Sequence, residues 1–406
     1  MIGLWVCVIS GLVLGGCKGP VVEKDYGRPL PPGAFALRKI TVPSQLPDLK
    51  IAWTNSDGDL LSALDRSLDW FTKPSTQRFF PMAGISHGHA RVSVFAFRQL
   101  LETSTSESQF EQRVLEQFDV YTSVGWDGRG TVLFTGYYSP VFNASWELTH
   151  EYRYPLYHRP TDLVTEPVTG EVLGRRVGQA IVTYPTRRQI ESSNMLAGRE
   201  LVYLKNKLDA YLIQVNGSAK LIMTDGSVRY FGYAGNNGHD YTSLAGLLVA
   251  DGKLDPNRVS LPAIRDYFRR QPGELDHYML QNDRFVFFQE YDGGSWPAGS
   301  LGVPVTAERT LATDKDVFPR GCVTLVQTRV PTSGPIARRF EQFMLDQDTG
   351  GAIRAAGRAD IYMGIGPQAE TLAGRTVAEG RLYYFFLKPA RLAAWRTQME
   401  SKISRR

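Results

Sequence analysis

The chain has 406 residues. A single hydrophobic core rarely extends through so long a chain, so two domains are expected. With 43% hydrophobic and 21% charged residues and no low-complexity tract, the composition excludes a disordered or fibrous chain. The formal net charge of +5 is spread along the sequence, which is compatible with an acidic polymer as partner. No zinc-finger or RNA-binding signature occurs, so a nucleic-acid partner is not expected.

The N-terminus has the pattern of a secretion signal. Residues 1–16 are nearly all apolar, but they are too few to cross a bilayer as a stable helix. The string Leu14-Gly15-Gly16-Cys17 resembles a bacterial lipobox, whose cysteine is lipidated and becomes the mature N-terminus. No Lys or Arg precedes the apolar run, so a plain signal peptide is the alternative. Because Lys18 stands where an aspartate would retain a lipoprotein in the inner membrane, the prediction is an anchor at Cys17 on the periplasmic face of the outer membrane.

Helices are predicted for the first third of the chain. Residues 18–36 contain four prolines and are expected to form an extended tether. Apolar side chains then recur at helical spacing over 59–72 and again over 105–119.

Strand patterns dominate from residue 131 onward. The segment 131–140, TVLFTGYYSP, is β-branched and aromatic. Residues 211–238 contain the hairpin dipeptides Asn216-Gly217 and Asp225-Gly226 between apolar runs, which predicts a β-meander. The other predicted elements are helical regions within 261–280 and strands at 284–290 and 381–389.

The sequence lacks the motifs of several common classes of enzyme. There is no Walker A loop, no dinucleotide-binding glycine fingerprint, no HExxH helix and no G-x-S-x-G elbow. His87 and His89 have no third ligand nearby in sequence, so neither a metal nor a cofactor is expected. Cys322, the one cysteine beyond the signal segment, is expected to be a buried apolar residue rather than a nucleophile.

The candidate catalytic groups are aspartates in the last third of the chain. Asp348 and Asp360 flank a run of small residues in QDTGGAIRAAGRADIY (347–362), where a ligand could approach the backbone closely. Asp314 lies upstream, and for Asp314 or Asp348 alone a turn-forming role is the commoner interpretation. Asp348-Thr349-Gly350 also resembles an aspartic-protease motif, but no second such motif occurs. The residues alone leave Asp360 and Asp348 nearly equal as catalytic candidates.

At these motifs the sequence resembles the membrane-bound lytic murein transglycosylase A family, over about residues 130–390. The last third resembles the three-aspartate domain, with Asp314, Asp348 and Asp360 in its three positions. The segments that carry the resemblance are GYYSP (136–140), YLIQVNGSAKL (211–221), YAGNNGHDYTSLAGLLVADG (233–252), QNDRFVFFQE (281–290), GVPVTAERTLATD (302–314), and the 347–362 block with GIGPQAETLAGR (364–375).

The resemblance implies a mainly β fold with flanking helices. A double-psi β-barrel domain would be formed by 37–137 together with 281–406, with the three-aspartate domain at about 300–390. A second, smaller β-barrel domain, 138–280, would be inserted between these two parts. A groove between the domains would hold a glycan strand of peptidoglycan.

The resemblance also implies a function and site residues. The expected enzyme is a peptidoglycan lytic exotransglycosylase that cleaves between N-acetylmuramic acid and N-acetylglucosamine and forms 1,6-anhydromuramic acid. Asp360 would be the single acid/base and Asp348 its partner. Other cell-wall enzymes are further candidate partners. The predicted substrate-binding residues are Tyr137, Tyr138, Gln214, Asn216, Ser218, Asn236, Asn237 and Asp314.

Two other functions remain open from the sequence. A muramidase would use water and a second carboxylate such as Asp348, and it would leave a reducing end. A non-catalytic wall-binding lipoprotein would bind the polymer without releasing fragments.

Overall fold

The computed structural model describes residues 24–404, apart from 168–169, 256–258, 333 and 335. The predicted signal segment and its lipidation site, Cys17, lie outside the described residues. None of the helices in the described part of the chain combines the length and apolar character that crossing a bilayer requires.

Strands and helices are numbered separately in chain order. The strands are β1 (Leu37–Lys39), β2 (Phe118–Ser123), β3 (Val132–Ser139), β4 (Val141–Ser145), β5 (Tyr154–Tyr157), β6 (Leu163–Thr165), β7 (Val172–Val177), β8 (Ala180–Val182), β9 (Glu200–Leu204), β10 (Ser218–Met223), β11 (Val228–Asn236), β12 (Val286–Tyr291), β13 (Thr310–Ala312), β14 (Val323–Val330), β15 (Arg338–Asp348), β16 (Arg358–Ile365) and β17 (Val377–Leu387). The α-helices are α1 (Lys50–Thr54), α2 (Gly58–Thr72), α3 (His87–Thr103), α4 (Glu107–Gln117), α5 (Arg187–Glu191), α6 (Lys207–Asn216), α7 (Leu244–Ala250), α8 (Leu261–Arg270), α9 (Leu275–Met279), α10 (Gly366–Arg375) and α11 (Leu392–Ile403).

Six strands close into a barrel, as expected for the first domain. They follow the order β17, β14, β15, β13, β16 and β3, and β3 pairs again with β17 to complete the ring. Two of the pairings, β13 with β15 and β16 with β3, are parallel. Strands β1 and β2 extend the sheet along β17. Both ends of the chain therefore contribute strands to one sheet.

Helices cover one side of this barrel. The helix predicted over 59–72 is confirmed as α2, where the Asp57 side chain accepts from the Leu60 N–H at the start. The helix predicted over 105–119 is confirmed as α4, with Ser106 as its N-cap. The apolar sides of α2 and α3 pack on β15 and β17. In the core, Phe97 of α3 meets Phe343 edge-on and Phe385 at a tilt.

A second six-stranded sheet lies between the two parts of the barrel in sequence. Its order is β12, β11, β10, β4, β9 and β5, and a bridge between His158 and Phe288 joins its outer strands. The predicted boundary of the inserted domain at 280 excluded β12, but β12 pairs with β11 along its length. The inserted sheet thus runs from Val141 to Tyr291. Strands β6, β7 and β8 form a small separate sheet beside it.

The predicted meander over 211–238 is wrong in its first part. Residues 207–216 form α6, and Gly217 ends this helix with a φ of 74°, in the left-handed region. An Asn-Gly pair suits both a hairpin turn and a helix C-terminus, because both need a residue with positive φ. The second dipeptide, Asp225-Gly226, does connect the antiparallel pair β10 and β11 as predicted.

The remaining predicted elements are confirmed. The helical region at 261–280 forms α8 and α9, which are separated by a short 3-10 turn. The strands predicted at 131–140, 284–290 and 381–389 correspond to β3, β12 and β17.

The described part of the predicted tether is packed rather than extended away from the body. The hydroxyl of Tyr26 donates to Glu379 at 2.8 Å, and the ring of Tyr26 meets Trp126 edge-on. The Tyr26 carbonyl oxygen lies so close to Gly357 that an added Cβ there would be 2.6 Å from it. Residues 24–36 contain too many prolines for regular structure, but Lys24 and Tyr26 bond to Glu379, and Arg28 lies over the ring of Trp126.

Candidate active site

Asp348 and Asp360 lie in one row across three strands. Ala312 of β13 pairs with Asp348 of β15 on one side and with Asp360 of β16 on the other. Asp360 in turn pairs with Thr135 of β3. Paired residues of neighbouring strands project to the same face, and two strand spacings separate the backbones of the two aspartates by about 10 Å.

Asp360 is a half-buried residue of β16. The Thr135 hydroxyl donates to its Oδ1 atom. No hydrogen bond to Oδ2 occurs within the described residues, so that oxygen is available to a ligand. Burial raises the pKa of Asp360 to about 6, with Arg358 opposing the shift and the charge of Asp348 adding to it. The strand pairing thus produces a carboxyl group that is partly protonated near neutral pH.

Asp348 is held by three hydrogen bonds. It accepts from the Tyr137 hydroxyl at 2.7 Å and from the backbone N–H groups of Ser300 and Thr349, each at 2.8 Å. Burial raises the pKa of this carboxyl, and the three donors and Lys315 oppose the rise because they stabilise its charged form. The bond from Ser300 depends on Gly299, where an added Cβ would lie 3.2 Å from Cγ of Asp348.

Tyrosine and serine side chains continue along the same face of β3 and β16. The rings of Tyr137 and Tyr362 have centroids 5.1 Å apart. The Tyr362 hydroxyl donates to Oγ of Ser139 at 3.0 Å, and Oγ of Ser139 is 3.2 Å from Oγ of Ser218. Ser218 begins β10, so this chain of hydroxyl groups leads from the barrel to the inserted sheet.

The inserted domain supplies the facing wall. A Cβ added to Gly351 would lie 3.5 Å from both Arg284 and Tyr241, which belong to segments of the inserted domain. The Arg284 guanidinium donates to the His239 carbonyl at 3.1 Å, and this bond orients it beside the glycine-rich turn. The aspartates therefore lie where the two β bodies meet.

Three of the predicted substrate-binding residues lie near the inserted sheet. Gln214 is buried, and its Oε1 accepts from Arg187 and from the Val286 N–H. Asn236 donates to the Tyr233 hydroxyl and accepts from the Gly238 N–H. Asn216 donates to the Leu212 carbonyl at the end of α6.

In three further predicted residues, polar side-chain atoms form hydrogen bonds within the protein. Asn237 is buried, and both N–H donors of its amide go to the carbonyls of Pro185 and Asp283. The Tyr138 side chain points to the other side of β3, and its hydroxyl donates to Glu370. The Asp314 carboxylate accepts from the N–H groups of Asp316 and Ala355, which stabilises a turn. These contacts leave Asn237 no donor for a sugar, and they give Tyr138 and Asp314 structural roles.

The site contains residues that sequence analysis missed: Thr135, Tyr362, Tyr241 and Arg284. Thr135 lies two residues before Tyr137 and Tyr362 two residues after Asp360, so the period of a strand would have placed both on the same face. Tyr241 and Arg284 lie in the family-like segments 233–252 and 281–290, but no local pattern assigned either of them to the site, because they reach it from the inserted domain.

The described histidines and Cys322 lie outside the aspartate row. In the described residues no three His, Cys, Asp or Glu side chains could jointly hold an ion. His87 contacts the Thr76 hydroxyl, and His89 contacts the Leu387 carbonyl. Cys322 is buried as predicted, and burial raises the pKa of its thiol well above the usual range.

Two family models match this chain. Residues 133–289 match the MltA specific insert domain, and residues 309–386 match the 3D domain. The first match includes the inserted sheet up to residue 289 within β12, and the second includes all three aspartates of the last third.

Relatives and solved structures agree with these matches. Membrane-bound lytic murein transglycosylase A of Escherichia coli (strain K12) is 30% identical over 285 residues, which are 69% of this chain and 73% of the relative. The Vibrio cholerae protein of the same name is 29% identical over 276 residues, 66% of this chain and 70% of the relative.

Among solved structures, a membrane-bound lytic murein transglycosylase from Agrobacterium tumefaciens superposes with a TM-score of 0.72 at 26% identity, covering 88% of this chain and 99% of that one. E. coli MltA with bound chitohexaose superposes with a TM-score of 0.68 at 24% identity, covering 90% of this chain and 96% of the other, and this match shows the shared fold.

Proposed function

This chain belongs to the membrane-bound lytic murein transglycosylase A family, and from that premise we propose that it forms 1,6-anhydromuramic acid with Asp360 as the single acid/base. As a family member it is a peptidoglycan lytic transglycosylase. The bond cleaved is the β-1,4 link between N-acetylmuramic acid and N-acetylglucosamine.

One carboxyl group suffices for this reaction. Cleavage needs a proton on the leaving oxygen and stabilisation of positive charge at the anomeric carbon. The C6 hydroxyl of the muramic acid then attacks its own anomeric carbon, so no external water takes part and the geometry lowers the entropic barrier. The same carboxyl gives its proton to the leaving oxygen and then receives the proton of the C6 hydroxyl.

The observation that carries this proposal is the state of Asp360. With a pKa of about 6, roughly a tenth of the molecules hold the proton at pH 7, whereas almost none would at the ordinary value. The Thr135 hydroxyl occupies Oδ1, which leaves Oδ2 for the glycosidic oxygen. A group that must act first as acid and then as base works best when its pKa is near the working pH.

Asp348 supports this role through its charge. Three donors favour its ionised form, and its negative charge raises the pKa of Asp360. Asp348 is too far from Asp360 in the strand row to share a proton with it. It therefore acts through the electrostatic potential at the site and through the position of the substrate.

We assign the glycan strand to the space between the barrel and the inserted domain. Tyr137 offers an aromatic face there, and Gln214, Asn216, Ser218 and Asn236 are the remaining candidates for polar contacts to the sugars. A relative with this fold is described with bound chitohexaose, a chain of linked sugars, which supports glycan binding by this chain.

The anchoring proposal rests on the sequence and on the names of the relatives. Lipidation at Cys17 would hold the enzyme at the outer membrane, and the matching relatives are called membrane-bound. Radiolabelled fatty acid should label the chain and not a Cys17→Ser variant.

Mass spectrometry of digested sacculi tests the reaction. The expected fragments end in anhydromuramic acid and are lighter by one water than the products of a muramidase. An Asp360→Asn variant should release none, while Asp59→Asn, a change at an exposed aspartate in the first turn of α2, should retain full activity. Reducing-end fragments would indicate the hydrolase instead, and binding to sacculi without any release would indicate the wall-binding protein.

A further inference from the structure

The helical side of the barrel contains a cavity that the proposed reaction does not use. It has a volume of about 360 Å³ and lies between α2, the 3-10 turn that follows it, α3 and α11. Helix α3 packs on β17, and α11 packs on α3. The lining residues come from 71–92 and 396–400, so none belongs to the row of strands that holds Asp348 and Asp360.

The charge of this cavity is strongly unbalanced. Lys73, Arg91 and Arg396 line it, and Glu400 is the one carboxylate in its wall. None of the three cations forms an ion pair with the described residues. Burial, and secondarily the charge of Arg91, lowers the pKa of His87, so this fourth basic group is neutral at pH 7 and can donate or accept a hydrogen bond. Cations that line one space without a paired carboxylate attract an anion.

A second cavity of about 250 Å³ lies next to the first. The two share Thr72, Arg91 and Met399 as wall residues. Leu68 and Phe95 join Met399 in giving the second cavity an apolar wall. Among the charged groups around it, Arg98 pairs with Asp65 and Glu102, and Lys402 donates to Gln99, whereas Arg91 and Asp69 form no ion pair with the described residues. The first cavity is therefore cationic, and the second adds an apolar surface with charged side chains at its edge.

We propose that these two adjacent cavities together bind a phosphate-bearing amphiphile, namely a phospholipid. The guanidinium groups of Arg91 and Arg396 suit phosphate oxygens, because each presents several N–H donors in a planar fork. The apolar wall formed by Leu68, Phe95 and Met399 takes the first part of an acyl chain. Free phosphate could use only the cationic wall, because it has no acyl chain. A phosphate-free lipid could use only the apolar wall, because it has no anionic group.

Isothermal titration of the full-length chain tests this inference. The probes are dihexanoyl phosphatidic acid, inorganic phosphate and dihexanoylglycerol. We expect the phosphatidic acid to bind and the double change Arg91→Gln/Arg396→Gln to weaken it by about tenfold or more, since two charge-assisted contacts are lost. Arg91→Lys/Arg396→Lys should retain more of the binding than the glutamine pair, because it keeps the charge.

A matched control separates this site from general charge effects. Arg129→Gln/Arg188→Gln removes the same charge at two exposed positions outside the cavities and should leave binding unchanged. Equal binding by the wild type and the Arg91/Arg396 glutamine pair would overturn the assignment. So would inorganic phosphate or dihexanoylglycerol binding as tightly as the phosphatidic acid. Because all these residues lie away from Asp360, the variants should still release glycan fragments, so this test is independent of the proposed reaction.

Discussion

Asp348 and Asp360 pair with the two opposite sides of the same residue, Ala312, in the barrel sheet. The central strand β13 has only three residues and thus acts as a spacer between the two carboxylates. At this spacing the charge of Asp348 reaches Asp360 through space without direct contact, and it contributes to the raised pKa of Asp360. The separation of the two acids is therefore determined by strand order rather than by side-chain flexibility.

The first prediction concerns the pH dependence of cleavage. Because the first step needs protonated Asp360, kcat/KM should fall as the pH rises through about 6. Asp348→Asn removes a negative charge, which lowers the pKa of Asp360, so the fall should begin at a lower pH. The pH profile of fragment release by the two proteins measures this. A fall that stays in place or moves to higher pH would contradict the coupling.

Thr135 should tune Asp360 in the opposite direction. Its hydroxyl donates to Oδ1, and such a donor stabilises the charged form of a carboxyl. Thr135→Val keeps the shape of the side chain and removes the donor, so the pKa of Asp360 should rise and the fall in kcat/KM should move to higher pH. Because the carboxyl also loses its orientation, kcat should drop by about tenfold.

A matched control for Thr135→Val is Thr397→Val, which also removes a threonine hydroxyl but lies in α11, where that hydroxyl bonds only to its own helix. This control should leave the pH profile unchanged. An unchanged profile for Thr135→Val as well would remove Thr135 from the site.

The ion pair of Lys315 with Asp346 should matter for stability. Both side chains are buried, and the Asp346 carboxylate also accepts from Thr313 and Tyr384. Lys315→Met leaves a buried carboxylate without its cation and should lower the free energy of unfolding by about 3–5 kcal/mol.

Adding Asp346→Asn to Lys315→Met removes the stranded charge and keeps an acceptor for Thr313 and Tyr384. The double variant should therefore be more stable than Lys315→Met alone. Denaturation in urea, followed by fluorescence, compares the three proteins. A double variant less stable than the single one would show that hydrogen bonds, not the ion pair, dominate here.

Gly299 is predicted to be needed for the geometry of Asp348. A Cβ at this position would lie 2.8 Å from the Gln347 carbonyl and 3.2 Å from Cγ of Asp348. Gly299→Ala should displace the Ser300 N–H from the carboxylate, lower kcat, and cost about 1–3 kcal/mol of stability. Gly273→Ala is the control, since an added Cβ meets no atom there and the change should stay within about 0.5 kcal/mol. Equal behaviour of the two variants would refute the crowding argument.

Local sequence patterns predicted many of the elements. The spacing of leucines predicted α2, and the aromatic and β-branched runs predicted β3 and β17. Asp225-Gly226 predicted the hairpin between β10 and β11. These signals work because they depend on the conformational preferences of adjacent residues. The same reasoning failed at Asn216-Gly217, where a positive φ is required both by a hairpin turn and by the end of α6.

The sequence by itself determined the family, the presence of two β bodies with flanking helices, and the two aspartates worth testing. Only the tertiary structure decided that Ala312 separates those aspartates, that Thr135 contacts one of them, and that Tyr241 and Arg284 close the site from the inserted domain. The physical reason is that strand register and domain contact depend on burial across residues far apart in the chain. The pKa of Asp360 depends in turn on that burial, so no local motif could have given it.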